Sequence, residues 1–279
     1  MRVVITRPQA DSLSWADGLR AVGFEPLLLP LIDIEPVANP KAICLAWAGL
    51  RGYAAVMFVS GNAVSGFFAS KRPENGVQKA WPAIKTRAWA TGPGTRRALV
   101  QAGVDAGLID SPQEDAEQFD SEALWLRVCN QVKAGDKVLL VRGSTSANDG
   151  AGQGGEGGLH GSGELGEPGG GRNWLSTQLE AAGVTVDFLV SYLRKAPVFS
   201  ALQQSLVRAA AVDGSVWLFS SSEAVGNLAS ALPGQAWGEA RAVATHPRIA
   251  AAVRAQGWGV VCESRPTLAS VVASIESMR

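Results

Sequence analysis

RAWATGPGTRRALVQAG (87–103) and RAVATHPRIAAAVRAQG (241–257) are two copies of one pattern, and that pattern decides the fold class. Each copy starts with a short apolar run, turns at small or polar residues, continues into an amphipathic helix and stops at a glycine. The apolar run predicts a buried strand, and glycine is common just past a helix end. A strand that runs directly into a helix is half of a βαβ unit, so the pattern predicts parallel sheets covered by helices.

The same pattern occurs elsewhere in the chain, again in pairs. VMFVSGNAV (56–64) matches VWLFSSSEAV (216–225) with one offset, and MRVVITRP (1–8) matches KVLLVRG (137–143) more weakly. Three matches in the same order indicate an internal duplication, at a period too long for a solenoid. We therefore predict an α/β protein of two similar doubly wound lobes. We expect the ligand site in the cleft between them, where strands give way to helix N-termini.

Apolar spacing also predicts which residues of the first helix face the core. A helix over Ser12–Val22 places Leu13, Trp15, Leu19 and Val22 on one face, and Gly23 follows its end. We therefore expect these four side chains to be buried.

A glycine-rich segment at 143–172 lies between strands predicted at Lys137–Val141 and Val184–Val190. It holds 13 glycines in 30 residues and almost no large apolar side chain. Such a segment buries too little surface to offset its ordering entropy, so we expect a flexible surface loop. It lacks GxxxxGK[ST], which argues against a phosphate-binding loop.

The composition is that of a globular protein without a charge surplus. Of 279 residues, 47% are hydrophobic and 18% charged, and 25 basic residues balance 25 acidic ones. A nucleic-acid-binding surface normally has a basic surplus, so we expect no nucleic-acid partner. Cys44, Cys129 and Cys262 match no metal spacing, which predicts buried apolar positions in a reducing compartment. With no signal segment and no apolar run long enough to span a bilayer, we expect a cytoplasmic protein without a membrane partner.

Five strand-to-helix junctions are candidate binding segments, because free backbone N–H groups at helix N-termini attract anions. All five are rich in Ser, Thr or Gly. They are Thr6-Arg7-Pro8, Ser60-Gly61-Asn62, Gly92-Pro93-Gly94-Thr95, Ser220-Ser221-Ser222 and Thr245-His246-Pro247. Helix capping and tight turns explain each junction equally well, so both interpretations stay open at this point. The GxG at 92–94 is not a dinucleotide motif, because Arg97 replaces the third glycine.

Few residues are candidates for acid–base chemistry. His160 lies in the glycine-rich segment, and His246 lies at a predicted helix N-terminus, where we expect a neutral imidazole that serves as a cap or a ligand. Tyr53 precedes a strand, which predicts packing. Tyr192 follows the strand Val184–Val190 at its carboxyl end, where a phenol can donate a hydrogen bond or a proton. Packing is the simpler interpretation of Tyr192 and stays open.

An ordered set of segments resembles the uroporphyrinogen-III synthase family of tetrapyrrole synthesis, and the segments span nearly the whole chain. They are VVITRPQAD (3–11), LPLIDIEP (29–36), FVSGNAV (58–64), ATGPGT (90–95), VLLVRG (138–143), GRNWLSTQLEAAG (171–183), VSYLR (190–194), LFSSSEAV (218–225) and ATHP (244–247). The resemblance implies closure of the linear tetrapyrrole hydroxymethylbilane to uroporphyrinogen III, with inversion of ring D and loss of water. It implies a lyase that needs no cofactor and no metal.

The resemblance also implies two flavodoxin-like doubly wound parallel-sheet lobes joined by a two-stranded linker. One lobe would be discontinuous, formed by residues 1–35 and 196–279, and the other would be formed by residues 38–193, including the glycine-rich insertion. Segments LIDIEP (31–36) and YLRKAPV (192–198) would supply the linker strands.

Roles for individual residues follow from the resemblance, position by position. Tyr192 is expected to help the substrate hydroxyl leave as water. Backbone N–H groups and a few arginines are expected to bind the eight carboxylates of the substrate. The expected substrate contacts are Thr6, Arg7, Ser60, Asn62, Gly92, Thr95, Ser220, Ser221 and Ser222.

The chain departs from the family pattern at two places. The family's Gly-Pro-Thr-Thr junction is replaced by 246–249, so the threonine contact expected at Ile249 is missing and Arg248 is the candidate replacement. The insertion separates Arg142 from Arg172, which leaves both open as contacts. Two other functions stay open: a non-catalytic two-lobed protein that binds a small anion, and a nucleotide-dependent transferase. We expect a monomer.

Deleting residues 149–169 is expected to leave thermal stability nearly unchanged, because this stretch has no predicted core residues. The associated change in loop-closure entropy is worth about 2 kcal/mol at most. Thermal unfolding followed by circular dichroism checks this, and a large fall in the melting temperature would contradict it.

Overall fold

Strands and helices alternate along nearly the whole chain. The computed structural model describes residues 1–69, 81, 86–113, 119–145 and 171–278. The strands are β1 (Arg2–Ile5), β2 (Glu25–Leu28), β3 (Asp33–Pro36), β4 (Ala55–Phe58), β5 (Arg87–Ala90), β6 (Ile109–Asp110), β7 (Lys137–Thr145), β8 (Thr185–Lys195), β9 (Val216–Phe219), β10 (Arg241–Ala244) and β11 (Val260–Glu263). The helices are α1 (Gln9–Ala21), α2 (Lys41–Ala48), α3 (Gly61–Ala69), α4 (Pro93–Gln101), α5 (Ser121–Val128), α6 (Gly171–Ala181), α7 (Ala201–Ala210), α8 (Ser222–Ala231), α9 (Pro247–Ala255) and α10 (Leu268–Glu276). Among the described residues, no helix combines the length and apolarity needed to cross a membrane.

The chain folds into two compact units. Unit 1 contains Met1–Ile34 and Lys195–Arg279, and unit 2 contains Glu35–Arg194. The chain therefore leaves unit 1 within β3 and returns to it at the end of β8. These two strands are neighbours at one edge of the unit 2 sheet.

Unit 1 is built on a five-stranded sheet of order β2-β1-β9-β10-β11, with every neighbouring pair parallel. Renumbered within the unit, this is the 2-1-3-4-5 order of flavodoxin-like folds. Successive residues point to opposite faces of the sheet. Val4 and Trp217 pack with residues of α7, α8 and α9, whereas Val3 and Leu218 pack with residues of α1 and α10. The predicted doubly wound fold class is confirmed.

Unit 2 repeats this sheet. Its order is β3-β8-β7-β4-β5-β6, and without β3 each strand matches one of unit 1: β8 matches β2, β7 matches β1, β4 matches β9, β5 matches β10 and β6 matches β11. The register agrees as well, because Phe58 pairs with Ala90 in unit 2 as Phe219 pairs with Ala244 in unit 1. The internal duplication inferred from the sequence is thus visible in both sheets, although the chain runs through the strands in a different order.

Helix α1 buries a different face from the predicted one. Its buried residues are Ser12, Ala16 and Leu19, whereas Leu13 is 53% and Val22 is 49% exposed. The prediction is therefore wrong for Leu13 and Val22. The Ser12 hydroxyl can be buried because it donates a hydrogen bond to the Arg7 carbonyl at 2.8 Å.

The three cysteines are not the buried residues that we predicted. Cys44 is exposed, Cys129 and Cys262 are partly exposed, and each is a free thiol. Helix α2 turns its neighbours Ile43 and Ala46 inward instead. Cys262 lies on β11, the outermost strand of its sheet, which explains its exposure.

Strands β7 and β8 extend further than the apolar runs predict. Gly143 to Thr145 belong to β7 rather than to the predicted loop, and 171–172 begin α6. The remainder of the predicted loop, 146–170, lies outside the described residues. The extensions pair with each other, Gly143 with Tyr192 and Thr145 with Arg194, so the ladder carries Gly143, which has little strand preference of its own.

Helix α3 lies unusually close to β8, and Gly66 makes this approach possible. A Cβ atom at Gly66 would overlap the backbone carbonyl of Ser191. The Ser191 hydroxyl donates to the Ala63 carbonyl at 3.1 Å, which fixes the same contact from the strand side. A backbone obstacle cannot move aside as a flexible side chain can, so only glycine fits this position.

Gly66→Ala is expected to lower the free energy of unfolding by about 1–3 kcal/mol, because overpacking forces backbone shifts. Gly226→Ala in α8 is the matched control, since within the described residues an added Cβ there would meet no atom closer than 4 Å beyond its own helix backbone and chain neighbours. The control should raise the free energy of unfolding by about 0.5–1 kcal/mol through helix propensity. Urea denaturation measures both, and equal effects of the two substitutions would contradict the close approach.

Candidate functional site

Strands β4 and β5 of unit 2 end level, which brings the residues that follow them to one edge of the sheet, while β7 and β8 continue past it. Phe58 at the end of β4 pairs with Ala90 at the end of β5 and with Val141 of β7. The Thr91 hydroxyl donates to the Val59 carbonyl at 3.2 Å and joins the two neighbouring turns. We call this edge the carboxyl edge of unit 2.

Tyr192 and Ser60 meet at this edge. Their hydroxyl oxygens lie 3.1 Å apart, and Tyr192 is buried with 5% of its surface exposed. Ser60 also caps α3, because its Oγ accepts a hydrogen bond from the Ala63 N–H at 3.2 Å. With that lone pair occupied, the Ser60 hydroxyl hydrogen can point to the Tyr192 oxygen, which leaves the phenol hydrogen free for another acceptor.

A β-bulge places Tyr192. Arg142 pairs with Val190, and Gly143 pairs with Tyr192, so Ser191 is the extra residue on β8. Strand residues normally alternate between the two faces of a sheet, but the bulge lets Ser191 and Tyr192 both contact the α3 side. Tyr192 therefore lies inside a strand that continues to Lys195, which corrects the prediction that the strand ends at Val190.

Because Gly143 has no side chain, it leaves room for the Tyr192 ring. The ring crosses β7 on its way from β8 to Ser60, and a Cβ atom on Gly143 would overlap three carbons of the ring. No larger residue fits there without moving the phenol. Sequence reasoning missed this role because Gly143 was counted as the first residue of the glycine-rich insertion.

The other predicted contacts of unit 2 lie around the N-termini of α3 and α4. Gly92 is the extended N-cap residue of α4 and forms no side-chain cap, so the first-turn N–H groups of α4 have no capping side chain. Thr95 in the same turn is buried, and Asn62 in the first turn of α3 is partly exposed. Their roles as substrate contacts stay predictions.

Unit 1 has an equivalent edge, which we call the carboxyl edge of unit 1. The Thr6 hydroxyl is buried and donates to the Leu218 carbonyl at 2.7 Å, so its hydrogen ties β1 to β9. Ser221 is the N-cap residue of α8 but forms no side-chain cap, and Ser220 beside it is partly exposed. The Ser222 Oγ is buried and has no hydrogen-bond partner within the described part of the chain.

The junction after β10 is a helix cap. The His246 Nδ1 accepts a hydrogen bond from the Arg248 N–H at 3.1 Å, which requires an unprotonated Nδ1. Ile249, where the family pattern has threonine, is buried in the apolar core. Arg248 is exposed. The cap interpretation of His246 is therefore the one that the geometry supports.

Tyr53, the second tyrosine, forms a buried polar pair with Asp187 and does not lie at the carboxyl edge of either unit. Its hydroxyl donates to the Asp187 carboxylate at 2.8 Å, and both side chains are buried. Burial raises the pKa of Tyr53, and the hydrogen bond to Asp187 and the negative charge of Asp187 raise it further. Tyr53 therefore stays protonated and contributes structure.

Two arginines at the carboxyl edges have lowered pKa values. Burial lowers the pKa of Arg7 to about 10, against a smaller opposing effect of the Asp11 charge. Burial also lowers the pKa of Arg142, and the positive charge of Arg194 adds to this effect. Across the ranges that the structure describes, no group of three or more His, Cys, Asp or Glu side chains is arranged to hold a metal ion.

The family model described as "Uroporphyrinogen-III synthase HemD" matches residues 14–149 and 167–273, which is most of the chain. This chain belongs to the uroporphyrinogen-III synthase family. The predicted resemblance is confirmed.

Individual relatives are distant. "Porphyrin biosynthesis protein HemD" of Ruminiclostridium josui is 24% identical over 148 residues, which are 53% of this chain and 28% of that protein. The chain thus matches only about a quarter of the length of this curated relative.

Solved structures support the fold. A mutant uroporphyrinogen III synthase from the extremely thermophilic bacterium Thermus thermophilus has a TM-score of 0.56 at 18% identity, with 100% of this chain and 98% of that chain covered. Uroporphyrinogen-III synthetase from Helicobacter pylori has a TM-score of 0.57 at 14% identity, with 100% of both chains covered. At such low identity these family members show the two-lobed α/β fold alone.

Gly143→Ala is expected to push the Tyr192 ring away from Ser60 and to lower the free energy of unfolding by about 1–3 kcal/mol. A double-mutant cycle with Tyr192→Ala tests the cause, because removal of the ring should make Gly143→Ala nearly neutral. The expected coupling is about 0.5–3 kcal/mol. Additive effects in urea denaturation would show that Gly143 does not make room for the ring.

Proposed function

We propose that this protein is a uroporphyrinogen-III synthase, a lyase that closes hydroxymethylbilane to uroporphyrinogen III with inversion of ring D and loss of water. The observation that carries the proposal is the Tyr192–Ser60 hydroxyl pair at the carboxyl edge of unit 2, in a chain of this family. The proposal assigns the chemistry to side chains and backbone amides and includes no cofactor.

Tyr192 is the proposed acid. In the first step the phenol gives its proton to the hydroxymethyl oxygen of the substrate, the C–O bond breaks and water leaves. The Ser60 hydroxyl, 3.1 Å from the phenol oxygen, can donate a hydrogen bond to the phenolate as it forms. A positioned acid of this kind typically contributes about 10²–10⁴-fold to a rate.

Positioning of the substrate is the larger task. The linear tetrapyrrole must be held so that ring D reacts through its substituted carbon, and holding reacting groups in place can supply much of a rate enhancement. The N-termini of α4 and α8 lack side-chain caps, and their first-turn N–H groups are suited to substrate carboxylates. We assign Ser220, Ser221 and Ser222 at the N-terminus of α8, and Gly92 and Thr95 at that of α4, to substrate contacts on this basis. Thr6, which precedes α1, and Asn62, in the first turn of α3, are proposed as contacts from the family resemblance alone.

The working form that we propose is a monomer in the cytoplasm, with neither a nucleic-acid nor a membrane partner. The equal numbers of acidic and basic residues support the absence of a nucleic-acid partner. Size-exclusion chromatography with light scattering tests the monomer, and a dimer mass would contradict it.

The protein is expected to convert hydroxymethylbilane to the type III isomer, and Tyr192→Phe is expected to slow that conversion by about 10²–10⁴-fold. Unassisted closure gives the unrearranged type I isomer, so the isomer ratio separates catalysis from spontaneous reaction. Product isomers are resolved by chromatography after oxidation.

Tyr53→Phe is the matched control, since it removes the hydroxyl of the other tyrosine. It should lower stability through the loss of the hydrogen bond to Asp187 while the type III product persists. A wild-type protein that yields only the type I isomer would overturn the proposed function and leave a non-catalytic anion-binding protein. An unchanged rate in Tyr192→Phe would remove Tyr192 from the mechanism alone.

A further inference from the structure

Ser191 is the extra residue of the bulge in β8, and it is almost completely buried. The pairing with β7 passes from Val190 to Tyr192, so Ser191 has no ladder partner on that strand. Only 1% of its surface is exposed. Its hydroxyl donates to the Ala63 carbonyl at 3.1 Å, in the first turn of α3. Ser191 therefore joins the bulge to the start of that helix through a directional bond.

A closed chain of contacts connects Ser191 with the Tyr192–Ser60 pair. Ser191 and Tyr192 are consecutive residues, and the Tyr192 and Ser60 hydroxyl oxygens lie 3.1 Å apart. The Ala63 N–H donates to the Ser60 Oγ at 3.2 Å, while the Ala63 carbonyl accepts from Ser191. The same helix residue thus holds Ser60 on one side and is held to the neighbour of Tyr192 on the other.

Other contacts of α3 leave its first turn freer to shift. The Trp47 Nε1 donates to the Phe67 carbonyl at 3.0 Å, which fixes the far end of the helix. Gly66 permits the close approach to β8, and Val64 and Phe67 are packed in the core. Apolar packing has no preferred direction, whereas a hydrogen bond weakens steeply when its angle changes. The Ser191 bond is therefore suited to fix the position of the first turn.

Stability alone is a weak reason for a hydroxyl at position 191. A buried hydroxyl gives up its water before it makes the bond, so the net gain is small. An alanine would fit the same space and would need no acceptor. The Ala63 carbonyl would not be left unsatisfied, because a carbonyl in a helix also accepts an intrahelical hydrogen bond. Serine adds a defined geometry between the bulge and α3.

We propose that Ser191 is a positioning residue for the acid step: its hydroxyl holds the first turn of α3 so that Ser60 stays within hydrogen-bond distance of the Tyr192 phenol. This inference rests on the proposed function, because it takes Tyr192 as the acid. When the phenol gives its proton to the leaving hydroxyl, a donor at the correct distance stabilises the phenolate that forms. Ser191 acts through that donor, so its effect belongs to turnover rather than to substrate binding.

Ser191→Ala is expected to lower kcat for the type III isomer by about 10-fold with KM nearly unchanged, in line with the loss of one hydrogen bond to a forming anion. In a Tyr192→Phe background the same substitution should have no further effect on kcat, because no phenol is left to position. Thr86→Val is the matched control. It removes another buried hydroxyl of unit 2, which donates to the Leu50 carbonyl at 3.2 Å just before the start of β5. In urea denaturation it should cost about as much stability as Ser191→Ala, while kcat stays unchanged.

An unchanged kcat in Ser191→Ala would overturn the proposal. So would an equal loss of kcat in the Tyr192→Phe background or in Thr86→Val, because a purely structural role predicts such losses. Crystal structures of wild type and Ser191→Ala test the geometry without substrate. The Tyr192–Ser60 oxygen separation should lengthen in the variant, and an unchanged separation would contradict the positioning role. A type I product alone from wild type overturns the proposed function, whereas the separation in the crystals still decides whether Ser191 positions the pair.

Discussion

Parallel pairing in register is the constraint on which the rest of this molecule depends. Because neighbouring strands run the same way and pair in register, the turns after β9 and β10 in unit 1, and those after β4 and β5 in unit 2, come to one edge of their sheet. Helices begin there with unpaired N–H groups. Ser, Thr and Gly residues at these turns therefore end strands and start helices, and helix N-termini of this kind are in general suited to anions.

Unit 2 contains a β-bulge in β8 that interrupts its regular strand pairing. One bulge at Ser191 lets two consecutive residues of β8 contact α3, and two glycines remove the obstacles, Gly66 on the helix and Gly143 on the next strand. The Tyr192–Ser60 contact is the result. β2, the matching strand of unit 1, ends at Leu28, whereas β8 runs to Lys195, so only β8 is long enough to carry a residue equivalent to Tyr192.

The two duplicated sheets are alike in strand order and register, but the residues at their strand-to-helix junctions differ. The two sheets share strand order and register, and each carries a stacked arginine at its carboxyl edge. The junctions themselves have diverged: Ser60 caps its helix, Ser221 does not, and His246 caps the helix that follows β10. A sheet edge tolerates such changes because its capping residues contribute little to the core, whereas the buried strands cannot vary without loss of packing.

The sequence by itself determined the fold class, the internal duplication, the strand-to-helix junctions and the family, because periodicity and turn chemistry act over windows of a few residues. Only the tertiary structure decided which junction residues meet. Tyr192 and Ser60 are separated by 132 residues, and their contact depends on a bulge and on glycines in two other elements. The buried face of α1 was mispredicted for the same reason, since Ser12 and Ala16 are buried by the sheet that they pack against rather than by their own apolarity. Distances of this kind follow from the register between distant strands, which no local pattern encodes.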